Sequence, residues 1–314
     1  MNFNKEFLDK IINVTSKAAI ACYPHLGKKD KILADKAATD EMRKNLNDLD
    51  INGKVVIGEG ELDEAPMLYI SEKLGTGKGP SVDIAVDPLE GTNFAANNLP
   101  GALSVLSISS KGNLFNAPET YMDKLAVGKD VPFDATDLDF SVEKNIKNIA
   151  DFKNKNLDNI TACILDRPRH KEIIDKLKKL KVNLKLLSDG DVAGALLVTD
   201  EKYAVDIFLG IGGGPEGVLA ASALDDFDCK FQGRFLFKTD KEIERAKKMG
   251  IKDLNKKYNL NEIVKGDSIF CASGITSGDL VSGVKMENGK FITETLVTHK
   301  NSTIDIVKKE IPIT

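Results

Sequence analysis

Between residue 160 and about 226 the hydrophobic period switches repeatedly between two and 3.6, and this constrains the fold more than any other feature. Ile160 to Leu165 is an apolar run of strand length, and Arg169 to Leu180 brings Ile173, Ile174, Leu177 and Leu180 onto one helical face. The strand-like 183–187, the helix-like 191–198, the strand-like 204–210 and the helix-like 218–224 follow. Strands alternating with helices at this spacing predict a parallel or mixed α/β sheet. Upstream, Phe3, Phe7, Leu8, Ile11 and Ile12 lie on one face of a first helix, and a second helix is expected over 35–49. A short strand at 54–58 precedes a helix opened by Pro66. Residues 81–86 read as a strand ending in the turn Asp87-Pro88, with 102–109 as its antiparallel neighbour. Residues 239–266 are Lys-rich and read as a helical, solvated surface excursion, while 267–274 and 289–297 close the chain as strands. The charged stretch 128–159 places a domain junction near 150–158, giving an N-terminal α+β subdomain over 1–155 and a C-terminal α/β subdomain over 156–314.

Charge and cysteine usage narrow the function classes. Lys and Arg total 44 against 48 Asp and Glu, a formal net charge of -4, without the basic excess of a nucleic-acid or membrane-surface binder. Cys22, Cys163, Cys229 and Cys271 are widely spaced and fit the reduced, buried thiols of a cytoplasmic protein. The first helix carries charges every few residues, so no secretory apolar region is expected, and no stretch approaches the length of a membrane span.

Chemistry concentrates just after the strands. Gly58-Glu-Gly-Glu-Leu-Asp-Glu64 packs Glu59, Glu61, Asp63 and Glu64 together; read alone, it is equally a solvated acidic loop. A second acidic group recurs in Asp87-Pro-Leu-Glu-Gly-Thr92, where Asp87, Glu90 and Thr92 can share one small volume or merely form a capped turn. Carboxylates crowded without cations repel one another, and a hard divalent cation such as Mg²⁺ or Mn²⁺ relieves that repulsion. Gly212, Gly214 and Gly217 fit G-x-G-x-x-G, which makes a dinucleotide-binding oxidoreductase an alternative. Pro215 inside the motif favours a helix start instead, with Glu216 as a further ligand and free N–H groups facing phosphate. Asp166-Arg-Pro-Arg169 suits a phosphate or is a surface pair, and Asp189-Gly-Asp191 suits sugar hydroxyls or is a helix cap. Tyr121 falls on a loop, and the three histidines lie in no metal-ligand spacing.

Taken together, residues 58–70, 83–92, 116–125, 167–170, 189–191 and 210–217 stand in the order of, and resemble, the class II fructose-1,6-bisphosphatases of bacteria. The segment 87–92 is also similar to the signature of the wider lithium-sensitive, metal-dependent phosphatases, which include the inositol monophosphatases. The resemblance implies an α/β fold of the sugar-phosphatase type, an α-β-α-β-α sandwich of two joined subdomains. It implies hydrolysis of the 1-phosphate of fructose 1,6-bisphosphate in gluconeogenesis, with two Mn²⁺ or Mg²⁺ ions per site. Asp35 and Glu59 match ligands of one metal, and Asp87, Glu90 and Glu216 ligands of the other. Thr92 matches the hydroxyl that orients the attacking water, with Glu59 as its neighbouring acid. Substrate contacts are implied at Glu90, Gly91, Thr92, Tyr121, Arg167, Pro168, Arg169, Asp189, Gly190, Asp191 and Gly213. The stretch Gly27-Lys-Lys-Asp-Lys31 departs from the family's Gly-Arg-Gly-Asp-Lys. A homo-oligomer, dimer or tetramer, completes the expectation, with sedoheptulose 1,7-bisphosphate or an inositol phosphate as the competing substrates.

Overall fold

A computed structural model describes residues 5–60, 67–299 and 305–313. In chain order the first elements are α1 (Lys5–Cys22), α2 (Lys31–Asn47), β1 (Asn52–Ile57), β2 (Lys73–Leu74), β3 (Ser81–Glu90), α3 (Thr92–Asn97) and β4 (Leu103–Ser110). Next come β5 (Tyr121–Val127), α4 (Val142–Lys153), β6 (Thr161–Leu165), α5 (Lys171–Lys179), β7 (Asn183–Leu187), α6 (Asp191–Leu196), β8 (Ile207–Gly213) and α7 (Gly214–Asp226). The chain closes with β9 (Lys230–Leu236), α8 (Asp240–Lys248), β10 (Lys257–Asn259), α9 (Leu260–Ile263), β11 (Ser268–Gly274), β12 (Lys285–Glu287), β13 (Lys290–His299) and β14 (Asp305–Pro312).

These elements form two compact units, one of residues 1–116 with 264–314 and one of residues 117–263. The boundary expected at 155/156 falls instead inside the second unit, between α4 and β6. Charge misled the sequence reading there: α4 is polar outside but buries Ile146, Ile149 and Ala150. The architecture is mixed α/β with two sheets.

In the first unit, eight strands among the described residues run β12-β13-β11-β4-β3-β1-β2, with β14 paired to β13. As expected, β4 is the antiparallel neighbour of β3, opposing Ala85 to Ser107. The core joins Ile11, Ile12, Ala18 and Cys22 of α1 and Ala38, Met42 and Leu46 of α2 to Ile84, Leu106, Ile269 and Val297 of the sheet. The helix expected from Pro66 is absent from the described part of that segment; residues 67–72 return as turns and pair through β2 with β1. Pro66, Glu61, Asp63, Glu64 and Phe3 lie outside the described residues.

In the second unit the order is β10-β9-β5-β8-β6-β7. Strands β6, β7 and β8 are parallel, and β5 runs antiparallel to both β8 and β9, so β9 shares the direction of β8. Leu125 and Val127 face a core shared with Ile146, Ile149 and Leu177, while the alternate residues Met122 and Lys124 meet α7 at Gly217. Helices therefore cover both faces. Residues 239–266 are no mere excursion: β10 extends the sheet, and Ala246, Ile251, Tyr258 and Ile263 are buried. All four cysteines are buried, and none of them forms a disulfide. Among the described residues no helix is long and apolar enough to cross a membrane.

Candidate active site

In the first unit the acidic motifs follow neighbouring strands. Strands β1 and β3 are parallel, and their register pairs Ile57 with Ala85. Two residues further on, Glu59 lies just past the end of β1 and Asp87 in the last part of β3, toward the carboxyl edge of the sheet, a common location for ligand sites in α/β sheets. The expected Asp87-Pro88 turn does not form. Strand β3 continues to Glu90 through an irregularity between Asp87 and Glu90, which accommodates a proline that cannot donate to the ladder. Glu90 is buried there, opposite Leu103 of β4.

Gly91 then takes the left-handed conformation, φ 80° and ψ 52°, and a Cβ would lie 2.8 Å from the Phe94 ring. Gly91 is itself the N-cap of α3, so Thr92 is the first helical residue and does not cap it. Among the described residues the Thr92 hydroxyl makes no hydrogen bond. Asp35 lies in α2, which packs on β3 and α3; the loop before it donates from Gly27 N to Ala95 O at 3.0 Å and from Lys29 N to Ala96 O at 2.8 Å. Burial pushes the Asp35 carboxyl above its ordinary range, and with burial of Cys22 itself the thiol rises to about 12. Among the described residues no three His, Cys, Asp or Glu side chains group closely enough to hold a metal ion.

The second unit gathers the other candidates at one sheet edge. The carboxyl end of β6 leads to Arg167, Pro168 and Arg169, that of β7 to Asp189, Gly190 and Asp191, and that of β8 to Gly213 and Glu216. Tyr121, expected on a loop, is instead the first residue of β5, between Gly213 and Leu236. Arg167 Nη2 donates to Asp189 Oδ1 at 3.1 Å, and Arg169 Nε to Ile211 O at 2.8 Å. The Arg169 guanidinium lies 5.0 Å from the centre of the Tyr121 ring, and the Lys238 ammonium 4.6 Å from it.

The other face of β5 holds a buried ion pair, Lys124 Nζ with Asp191 Oδ2. Glu216 lies beside this pair in the first turn of α7; burial raises its carboxyl, and the Lys124 charge opposes that rise. The glycine run now has a physical reason. A Cβ on Gly212 would lie 2.1 Å from Asp191 Oδ2, and one on Gly213 would lie 1.7 Å from Glu216 Oε2. These glycines make room for the carboxylates of Asp191 and Glu216. Pro215 stands in the first turn of α7, as expected.

His170 is structural. Its Nδ1 lies 2.7 Å from Leu165 O, and its Nε2 accepts from Ile211 N at 2.7 Å, which fixes the proton on Nδ1. Burial lowers its basicity, and the neutral ring pins the turn carrying Arg169 to β8. Burial likewise raises Asp123, beside Tyr121 on the same face, to about 6, against the pull of Arg234. Sequence patterning missed Lys124 and Lys238, because neither β5 nor the end of β9 was legible as a strand.

The family model described as "Bacterial fructose-1,6-bisphosphatase, glpX-encoded" matches residues 5–311. Fructose-1,6-bisphosphatase 1 class 2 of Escherichia coli (strain K12) is 41% identical over 312 residues, covering 95% of this chain and 92% of that protein. The D-fructose 1,6-bisphosphatase class 2/sedoheptulose 1,7-bisphosphatase of Prochlorococcus marinus (strain AS9601) is 39% identical, over 96% of this chain and 94% of its own. The solved inositol monophosphatase of Anabaena (Nostoc) sp. PCC 7120 shares 14% identity and a TM-score of 0.32, over 62% of this chain and 71% of that one, and adds nothing to the assignment.

Proposed function

Because the chain belongs to the bacterial, glpX-encoded class 2 fructose-1,6-bisphosphatases, phosphoric monoester hydrolases of gluconeogenesis, we propose that Asp35, Glu59, Asp87 and Glu90 of the first unit hold its divalent metal and that the sheet edge of the second unit holds the sugar. The reaction removes the 1-phosphate of fructose 1,6-bisphosphate as inorganic phosphate and leaves fructose 6-phosphate. The observation that carries the metal half is the parallel register of β1 and β3, in which Glu59 and Asp87 each follow by two residues the paired Ile57 and Ala85. An all-oxygen donor set fits a hard cation such as Mn²⁺ or Mg²⁺. That ion, two per site in this reading, supplies neutralisation of the phosphate charge and of the leaving oxygen.

The chain's own groups do the rest. The Thr92 hydroxyl orients the attacking water, and Glu59 takes up its proton. Arg167, Arg169 and Tyr121 bind and orient the anionic substrate, and Asp189, Gly190 and Asp191 meet the sugar hydroxyls. Position and charge are what phosphoryl transfer mainly asks for, which suits a site without a catalytic histidine. The protein acts as a cytoplasmic homo-oligomer on this small substrate.

Phosphate release from fructose 1,6-bisphosphate with Mn²⁺ and with Mg²⁺ tests the reading, with inositol 1-phosphate as control and sedoheptulose 1,7-bisphosphate as a second substrate. Activity is lost on chelation and restored by metal, and metal raises the melting temperature because it binds the folded state. Full activity after exhaustive chelation would sink the metal assignment.

A further inference from the structure

Lys238 has no role in the site as read so far, yet its position is that of a ligand. Strands β6, β7, β8 and β9 point the same way, and the first three each deliver site residues from their carboxyl ends. Lys238 is what β9 delivers: Tyr121 pairs with Leu236, so Lys238 continues two residues beyond the ladder on the same face as Tyr121. Its ammonium lies 4.6 Å from the ring centre, while Arg169 reaches the same ring across β8.

Two cations held on one half-exposed aromatic ring repel each other, and attraction to the ring offsets only part of that. Among the described residues neither is paired with a carboxylate. The nearby acids are engaged elsewhere: Asp123, on the same face of β5, is drawn to the Arg234 charge, Glu119 lies 3.7 Å from Arg245 Nη1, and Glu242 accepts from the backbone N–H groups of Lys238 and Thr239 at the start of α8. An anion is the missing partner. Tyr121 and Lys238 also lie on the face of β5 opposite Lys124, Asp191 and Glu216, so an anion bound there avoids those carboxylates.

We propose that Lys238, together with Arg169, binds the phosphate that the reaction does not remove, and so selects a sugar bisphosphate over a monophosphate. This rests on reading the sheet edge as the sugar site. The test compares wild type, Lys238→Met and Lys238→Arg on fructose 1,6-bisphosphate and on p-nitrophenyl phosphate, which has no second phosphate. Losing one charge-assisted contact lowers the ratio of kcat/KM for bisphosphate over monoester at least about 10-fold, mainly through KM, and arginine restores most of it. A second arm titrates fructose 6-phosphate, which keeps the phosphate in question, into chelated protein by calorimetry. There Lys238→Met weakens binding by a similar factor. An unchanged ratio and unchanged fructose 6-phosphate affinity would overturn the role of Lys238. A wild type inactive on the bisphosphate would instead overturn the sugar-site reading, while the calorimetric arm still judges Lys238 by itself.

Discussion

Thr92 follows a glycine that the backbone requires, and this settles what its own hydroxyl can be for. Gly91 occupies the cap position, so removing the Thr92 hydroxyl takes nothing from the start of α3. Thr92→Ala is expected to change stability by no more than about 0.5 kcal/mol, as for other substitutions away from caps and cores. As the group that orients water it is expected to lose on the order of 10²–10⁴ in kcat with little change in KM, and Thr92→Ser keeps substantial turnover. Rate constants at saturating metal, set beside melting temperatures, check both halves. A Thr92→Ala enzyme that turns over like wild type would remove this hydroxyl from the mechanism.

At the scale of elements, β5 joins the two faces of its sheet, and Lys124 is its most consequential residue. The side chain is 1% exposed and bound to Asp191, which opens α6. Lys124→Met leaves the Asp191 charge buried without its partner, beside Glu216, and is expected to cost about 3–5 kcal/mol. The double variant Lys124→Met/Asp191→Asn recovers part of that loss in urea unfolding, because the orphaned charge goes with the lysine. A single variant as stable as wild type would show that the pair carries no such tie. The same strand shows where sequence was readable. Strands β3, β4, β6, β8 and β11 present apolar runs or alternation that betray them directly. Strands β5 and β9 do not, because Asp123, Lys124, Gln232 and Arg234 interrupt the pattern, and the last three find partners distant in sequence. Lys124 and Asp191 are 67 residues apart. Strand β14, with Lys308, Lys309 and Glu310, is polar enough to look like a tail. The site divides along the same line: acids clustered after a strand were visible as local runs, whereas Asp35 looked like any helical aspartate until the family resemblance singled it out. Lys238 emerged only once β9 had been placed beside β5.

For the whole molecule, what matters is that the second unit is one contiguous stretch and the first is not. Residues 117–263 carry a complete sheet with helices on both faces, so this fragment is expected to unfold cooperatively by itself. Residues 1–116 lack Ile269, Cys271 and Val297 of their core, and β4 loses β11 and becomes a long apolar edge. That fragment is expected to aggregate or to lack a cooperative transition; circular dichroism through a thermal ramp distinguishes the two, and a cooperatively folded 1–116 would contradict this. The placement of β11 between β4 and β13 also sets a timetable on the ribosome. The stretch holding Tyr121, Arg169 and Lys238 can complete its sheet while synthesis continues. The carboxylates Glu59, Asp87 and Glu90 are made first, yet their sheet closes only when the last fifty or so residues emerge, so the half of the enzyme made earliest is the half finished last.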